Sequence, residues 1–80
     1  MSRPSQGTVE DLIAALGSVA PAGIQNFELW IPRELTLRGK PTSLDMAMAI
    51  VLDKILGMGF TVDGFTAEKD GRIYRYKIMT

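Results

Sequence analysis

The sequence predicts an α+β fold: a two-layer αββαββ arrangement in which a four-stranded, mainly antiparallel sheet carries two helices on one face. Three observations predict it. Two stretches with helical spacing of apolar residues each follow a Ser/Thr cap. Each is followed by a pair of short alternating stretches. Asp70-Gly71 lies between the last two, where a hairpin turn belongs. The 80 residues allow one domain, read as residues 8–80, with residues 1–7 as a flexible N-terminal tail.

The tail is polar and contains Pro4 and Gly7. Thr8 is the expected cap of the first helix, with Glu10 and Asp11 in the first turn, where negative charge suits the helix dipole. Val9, Leu12, Ile13 and Leu16 make one apolar face, and Gly17, Pro21 and Gly23 end the helix between Gly17 and Ala20. Phe27 to Ile31 alternates, with Phe27, Leu29 and Ile31 on one side and Glu28 and Trp30 on the other. Leu35 to Arg38 alternates again. These two stretches are expected to pair as a hairpin through an irregular loop, because Pro32-Arg33 is poor chemistry for a tight turn; a helical turn from Pro32 competes.

Thr42 or Ser43 caps the second helix, expected from Leu44 to Leu56 or Gly57, with Gly57 and Gly59 as its stop. Phe60–Glu68 and Ile73–Met79 then form a hairpin. With Asp70 and Gly71 at the centre of a type I′ turn, Lys69 faces Arg72, Ala67 faces Tyr74, Phe65 faces Tyr76 and Thr66 faces Arg75. Phe60 and Val62 reach the apolar face only if a β-bulge stands at Asp63-Gly64. Thr8-x-x-Asp11 and Thr42-x-x-Asp45 open the two halves alike, through duplication or shared capping logic.

Composition narrows the function. Nine Lys plus Arg balance nine Asp plus Glu, and 46% of residues are hydrophobic, which is globular and not disordered composition. Without Cys there is no thiol nucleophile or disulfide, and without His the usual general base and zinc ligand are missing. No metal and no cofactor is expected, and the chain reads as no enzyme. Most of its carboxylates sit where capping, turns and strand surfaces explain them, and Asp63, Glu68 and Asp70 lack calcium-loop spacing. No phosphate loop, dinucleotide-binding glycine pattern or nucleophile elbow occurs. The longest apolar run, Met46 to Leu52, is seven residues, against about 20 for a membrane span. The N-terminal residues lack the apolar core of a signal peptide. The expectation is a soluble, cytoplasmic protein with no membrane contact.

Two features point outward. The second helix carries apolar residues around most of its circumference, more than one sheet face and one neighbouring helix can cover. Met46 and Ile50 are the candidates there for contact with a second protein chain, a copy of itself or another protein, with a central core helix as the plain alternative. Trp30, the only Trp, is expected on the open sheet face with Thr36, Arg38, Thr66, Arg75 and Lys77. An aromatic among basic groups suits a protein-binding hot spot or a single-stranded nucleic-acid platform; cover by the N-terminal tail or a ring lying flat on the sheet is the plain alternative.

The function expected is therefore a small non-catalytic protein-binding module of inhibitor or adaptor type, acting by occlusion or assembly. Its partner-binding residues are Trp30, Arg38, Arg75, Lys77, Met46 and Ile50. Bacterial or phage accessory proteins are the size class this suggests. Nucleic-acid binding through the open sheet face or the C-terminal hairpin is the alternative. Zero net charge and the apolar second helix, whose only base is Lys54, count against a groove-reading domain.

Overall fold

The computed structural model describes residues 3–78; Met1, Ser2, Met79 and Thr80 lie outside the described residues. The chain forms β1 (Gln6–Thr8), α1 (Val9–Leu16), β2 (Asn26–Pro32), β3 (Glu34–Leu37), β4 (Lys40–Thr42), α2 (Leu44–Gly57), β5 (Phe60–Glu68) and β6 (Gly71–Ile78). It is α+β, but the expected single four-stranded sheet does not form. Six strands build two three-stranded sheets, in the orders β1-β3-β4 and β2-β6-β5.

The two sheets separate at the β2–β3 junction. Only Arg33 separates β2 from β3, too short a link to fold one strand back on the other. The backbone instead passes from one sheet to the next. The Arg33 N–H donates to the Asp70 carbonyl at 2.8 Å, and the next amide, that of Glu34, donates to the Ser5 carbonyl at 3.0 Å. Strand β2 then pairs with β6, from Asn26 opposite Lys77 to Pro32 opposite Gly71. Strand β3 pairs in parallel with β1 and antiparallel with β4. Gln6 and Gly7, read as tail, are thus strand residues. Both helices pack on β3 and against each other, but α1 also packs on β1 while α2 reaches across to β5 of the other sheet.

Both helices start as their sequences dictate. The Thr8 hydroxyl accepts from the Asp11 N–H at 3.1 Å, and the Ser43 hydroxyl accepts from the Met46 N–H at 3.1 Å. The second cap is Ser43 and not Thr42, so the two capping patterns do not align and the case for a duplication weakens. Val9, Leu12 and Leu16 face inward from α1; Ala47, Val51 and Ile55 face inward from α2. They meet Leu29, Ile31, Leu35, Phe60, Tyr74 and Tyr76 in one core.

The β5–β6 hairpin keeps the expected faces and bulge but not the expected partners. Val62 faces Tyr76 and Gly64 faces Arg75, so Asp63 is the extra residue, as the return of Phe60 and Val62 to the apolar face requires. Glu68 faces Gly71, however, which makes Lys69 and Asp70 the turn residues. Phe65 therefore faces Tyr74 and not Tyr76. The partner shifts by two positions, so every side chain stays on its predicted side. Neither turn residue has positive φ, which excludes the type I′ turn expected there. That turn lies elsewhere: Leu37 faces Lys40 across Arg38 (φ 54°) and Gly39 (φ 78°), joining β3 to β4.

Gly71 owes its place to close approach instead. A Cβ there would lie 2.6 Å from the Trp30 indole and would meet the Ile31 carbonyl oxygen.

Candidate functional site

The outer face of the β2-β6-β5 sheet is built by alternation. Trp30 faces Ile73, Glu28 faces Arg75, and Asn26 faces Lys77, while Phe27, Leu29 and Ile31 point to the core side. Three of the six sequence-derived contact residues, Trp30, Arg75 and Lys77, are thus brought onto one face. Both cations are already engaged there. Arg75 lies 3.7 Å from the Glu28 carboxylate and donates to the Thr66 hydroxyl at 2.7 Å; Lys77 lies 3.0 Å from the Asp63 carboxylate. The side chains are about half exposed, so each pair is weak. Their charges nonetheless cancel locally, which leaves little net field for a polyanion.

Trp30 is half-buried. Its indole edge rests against the Gly71 backbone. Its Nε1–H donates to the Pro4 carbonyl at 2.8 Å, and the Arg3 guanidinium stands 5.3 Å from its ring centroid. A cleft of about 230 Å³ opens beside it, lined by Arg3, Trp30, Glu68, Lys69 and Asp70. The N-terminal tail thus lies against Trp30, the plain alternative offered by the sequence. The sequence did not single out Arg3, because an Arg-Pro dipeptide in a polar stretch gives no periodic signal, and it read Glu68 as a strand residue and Asp70 as a turn residue rather than as neighbours of Trp30.

Arg38 is not part of this face. It occupies the β3–β4 turn in the other sheet, where its backbone N–H donates to the Glu10 carboxylate at 2.7 Å. Thr36, expected beside Trp30, is also in that sheet and faces Pro41. A larger cleft, about 720 Å³, lies over the β1-β3-β4 sheet, with Arg33 and Glu34 as its ionisable lining groups and Gln6 donating to Glu34 at 3.0 Å. Its lining is more apolar than polar and holds no pair of carboxylates. Among the described residues no three acidic side chains cluster as metal ligands.

The two candidates on α2 separate. Ile50 is half-buried and packs against the core, whereas Met46 is 55% exposed. Met46, Ala49, Asp53 and Leu56 follow i, i+3, i+7, i+10 spacing, which makes one outward row. All four are exposed, Leu56 at 51%. Leu56 belonged to the apolar surplus that the sequence displays, but no local signal distinguished it from the inward-facing Ile55.

Phe65 also reaches solvent, at 56% exposure. It stacks on Tyr74 at 5.3 Å, with the Arg72 guanidinium 5.7 Å from its ring. Among the described residues no helix is long and apolar enough to cross a membrane.

No protein-family model, curated protein or solved structure matches this chain. Its functional reading therefore rests on these surfaces alone.

Proposed function

We propose that this chain is a small non-catalytic protein-binding module that acts by occlusion or assembly through the outer face of α2. One observation carries the reading: Met46 and Leu56 stand half in water on the same outward row as Ala49, while the opposite face of the helix is fully buried. Apolar side chains at i, i+3 and i+10 spacing are what a partner helix or groove engages. Methionine adapts to such a surface without a fixed shape. The single charge in the row, Asp53, would set register against a partner cation.

Nucleic-acid binding through the sheet face has less support. Arg75 and Lys77 are paired with carboxylates, and Arg38 is in the other sheet.

The test uses the double variant Met46→Glu, Leu56→Glu. Both side chains are exposed, so circular dichroism and the urea midpoint should remain close to wild type. Sedimentation at micromolar concentration and pull-down from the native host should show association by the wild type and its loss in the variant. A wild type that is strictly monomeric and captures nothing, or a variant that associates as well as wild type, refutes the proposal.

A further inference from the structure

We propose that the cleft between Trp30 and the β5–β6 turn recognises an extended, arginine-containing peptide segment, and that the chain's own Arg3–Pro4 occupies it in cis. This goes beyond the α2 reading and does not depend on it.

The cleft has the chemistry for such an occupant. The Trp30 ring edge packs so close over Gly71 that a Cβ there would lie 2.6 Å from it. A rigid indole is the strongest aromatic partner for a cation held over its face. Its Nε1–H is a donor with no acceptor role, so it selects a carbonyl. Glu68 and Asp70 stand on the rim against the single cation Lys69, leaving the cleft one net negative charge before Arg3 enters. The three features together select a cationic side chain adjacent to a free backbone carbonyl.

Arg3–Pro4 meets both Trp30 features directly: the guanidinium lies 5.3 Å from the ring centroid and the Pro4 carbonyl accepts from the indole at 2.8 Å. Proline suits the segment because it holds the backbone extended and offers no N–H that would go unpaired.

The contacts that hold Arg3–Pro4 are of a kind any Arg-Pro segment offers. What favours the cis segment is attachment. The Ser5 carbonyl accepts from the Glu34 N–H, and Gln6–Thr8 pairs with β3, so Arg3 and Pro4 are tethered next to the cleft at high effective concentration. A partner's segment enters only by displacing them. The N-terminal segment thus acts as an internal competitor at the Trp30 cleft.

The test uses the full chain carrying Arg3→Asp, which places a carboxylate beside Glu68 and Asp70 and should release the segment. Arg3 is exposed, so the fold should remain intact. Trp30 is the only Trp, and its emission reports the cleft alone. In wild type the indole should be shielded from acrylamide, an uncharged quencher; in Arg3→Asp quenching should rise. A peptide of residues 2–6, Ser-Arg-Pro-Ser-Gln with blocked ends, should bind Arg3→Asp at least about fivefold more tightly than wild type. The same peptide with glutamine in place of arginine should bind neither.

Calorimetry on Arg3→Asp, Trp30→Leu serves as the second variant, and loss of peptide binding there places the site. Unchanged quenching in Arg3→Asp overturns the proposal. So does equal peptide affinity for the two chains, or binding that survives in Trp30→Leu. None of these outcomes bears on association through Met46 and Leu56.

Discussion

Replacing Tyr76 with phenylalanine should stabilise this protein at neutral pH and remove an alkaline loss of stability. The ring is 1% exposed and stacks between Phe27, at a centroid distance of 5.1 Å, and Tyr74, at 6.2 Å. Its hydroxyl is buried, with no hydrogen-bond partner among the described residues. An unpaired buried polar group of this kind costs about 1–3 kcal/mol. Tyr76→Phe keeps the ring and its stacking and deletes only the orphan group, so a gain of about 1 kcal/mol is expected in urea denaturation at pH 7.

The same burial, with the neighbouring Tyr74 adding to it, holds the Tyr76 pKa well above its ordinary value of 10.0. The native state therefore keeps a proton that the unfolded chain gives up. Stability is intact below the unfolded value near 10 and falls as pH rises beyond it. One proton corresponds to a loss of about 1 kcal/mol between roughly pH 10 and 11. Other alkaline titrations are common to both proteins, so the difference between wild type and Tyr76→Phe isolates this group. The gain from the substitution should grow by that amount across the interval. A variant less stable than wild type at pH 7 by 1 kcal/mol or more, or a pH-independent difference, would refute the assignment of an unpaired hydroxyl.

Two further substitutions test the backbone. Gly71→Ala should cost about 1–3 kcal/mol, the usual penalty for overpacking, because its Cβ would meet the Trp30 indole and the Ile31 carbonyl; the urea midpoint measures the cost, and a shifted Trp30 emission should accompany it. Arg38→Gly should stabilise by up to about 1 kcal/mol, since an L side chain in the left-handed region is strained; thermal unfolding that shows no gain would mean that the Arg38 side chain makes a compensating contact.

How much of this was legible follows from where each signal resides. Both helices, their hydroxyl caps and the bulge at Asp63 could be read because spacing and capping are local, and because Phe60 and Val62 had only one way to reach the apolar face. The choice of strand partners could not. Phe27, Leu29 and Ile31 announce a strand with one apolar side, but whether Tyr76 or Leu35 covers its edge depends on residues far along the chain. Strand β1 is three residues, Gln-Gly-Thr, too short to show alternation. Asp70-Gly71 suggested a type I′ turn by residue type, yet Gly71 serves the Trp30 ring, and the left-handed turn fell at Arg38-Gly39, where an arginine masks the pattern.

At the candidate surfaces, alternation placed Trp30, Arg75 and Lys77 together correctly. It could not show that Glu28 and Asp63 neutralise the two cations, nor that Arg38 is in a separate sheet. Met46 was legible as surplus apolar surface; Ile50 was not distinguishable from it, because the turn of the helix that carries it inward is set by the packing of Val51 and Ile55.

The strand order β2-β6-β5 puts Gly71–Ile78 in the middle of its sheet. A ribosome delivers that stretch after both of its neighbours, so β2 must wait unsatisfied for some forty residues of synthesis before its partner arrives. Nascent chains arrested before Gly71 should therefore be readily digested by protease, and protection should come in a single late step instead of accumulating as the chain lengthens.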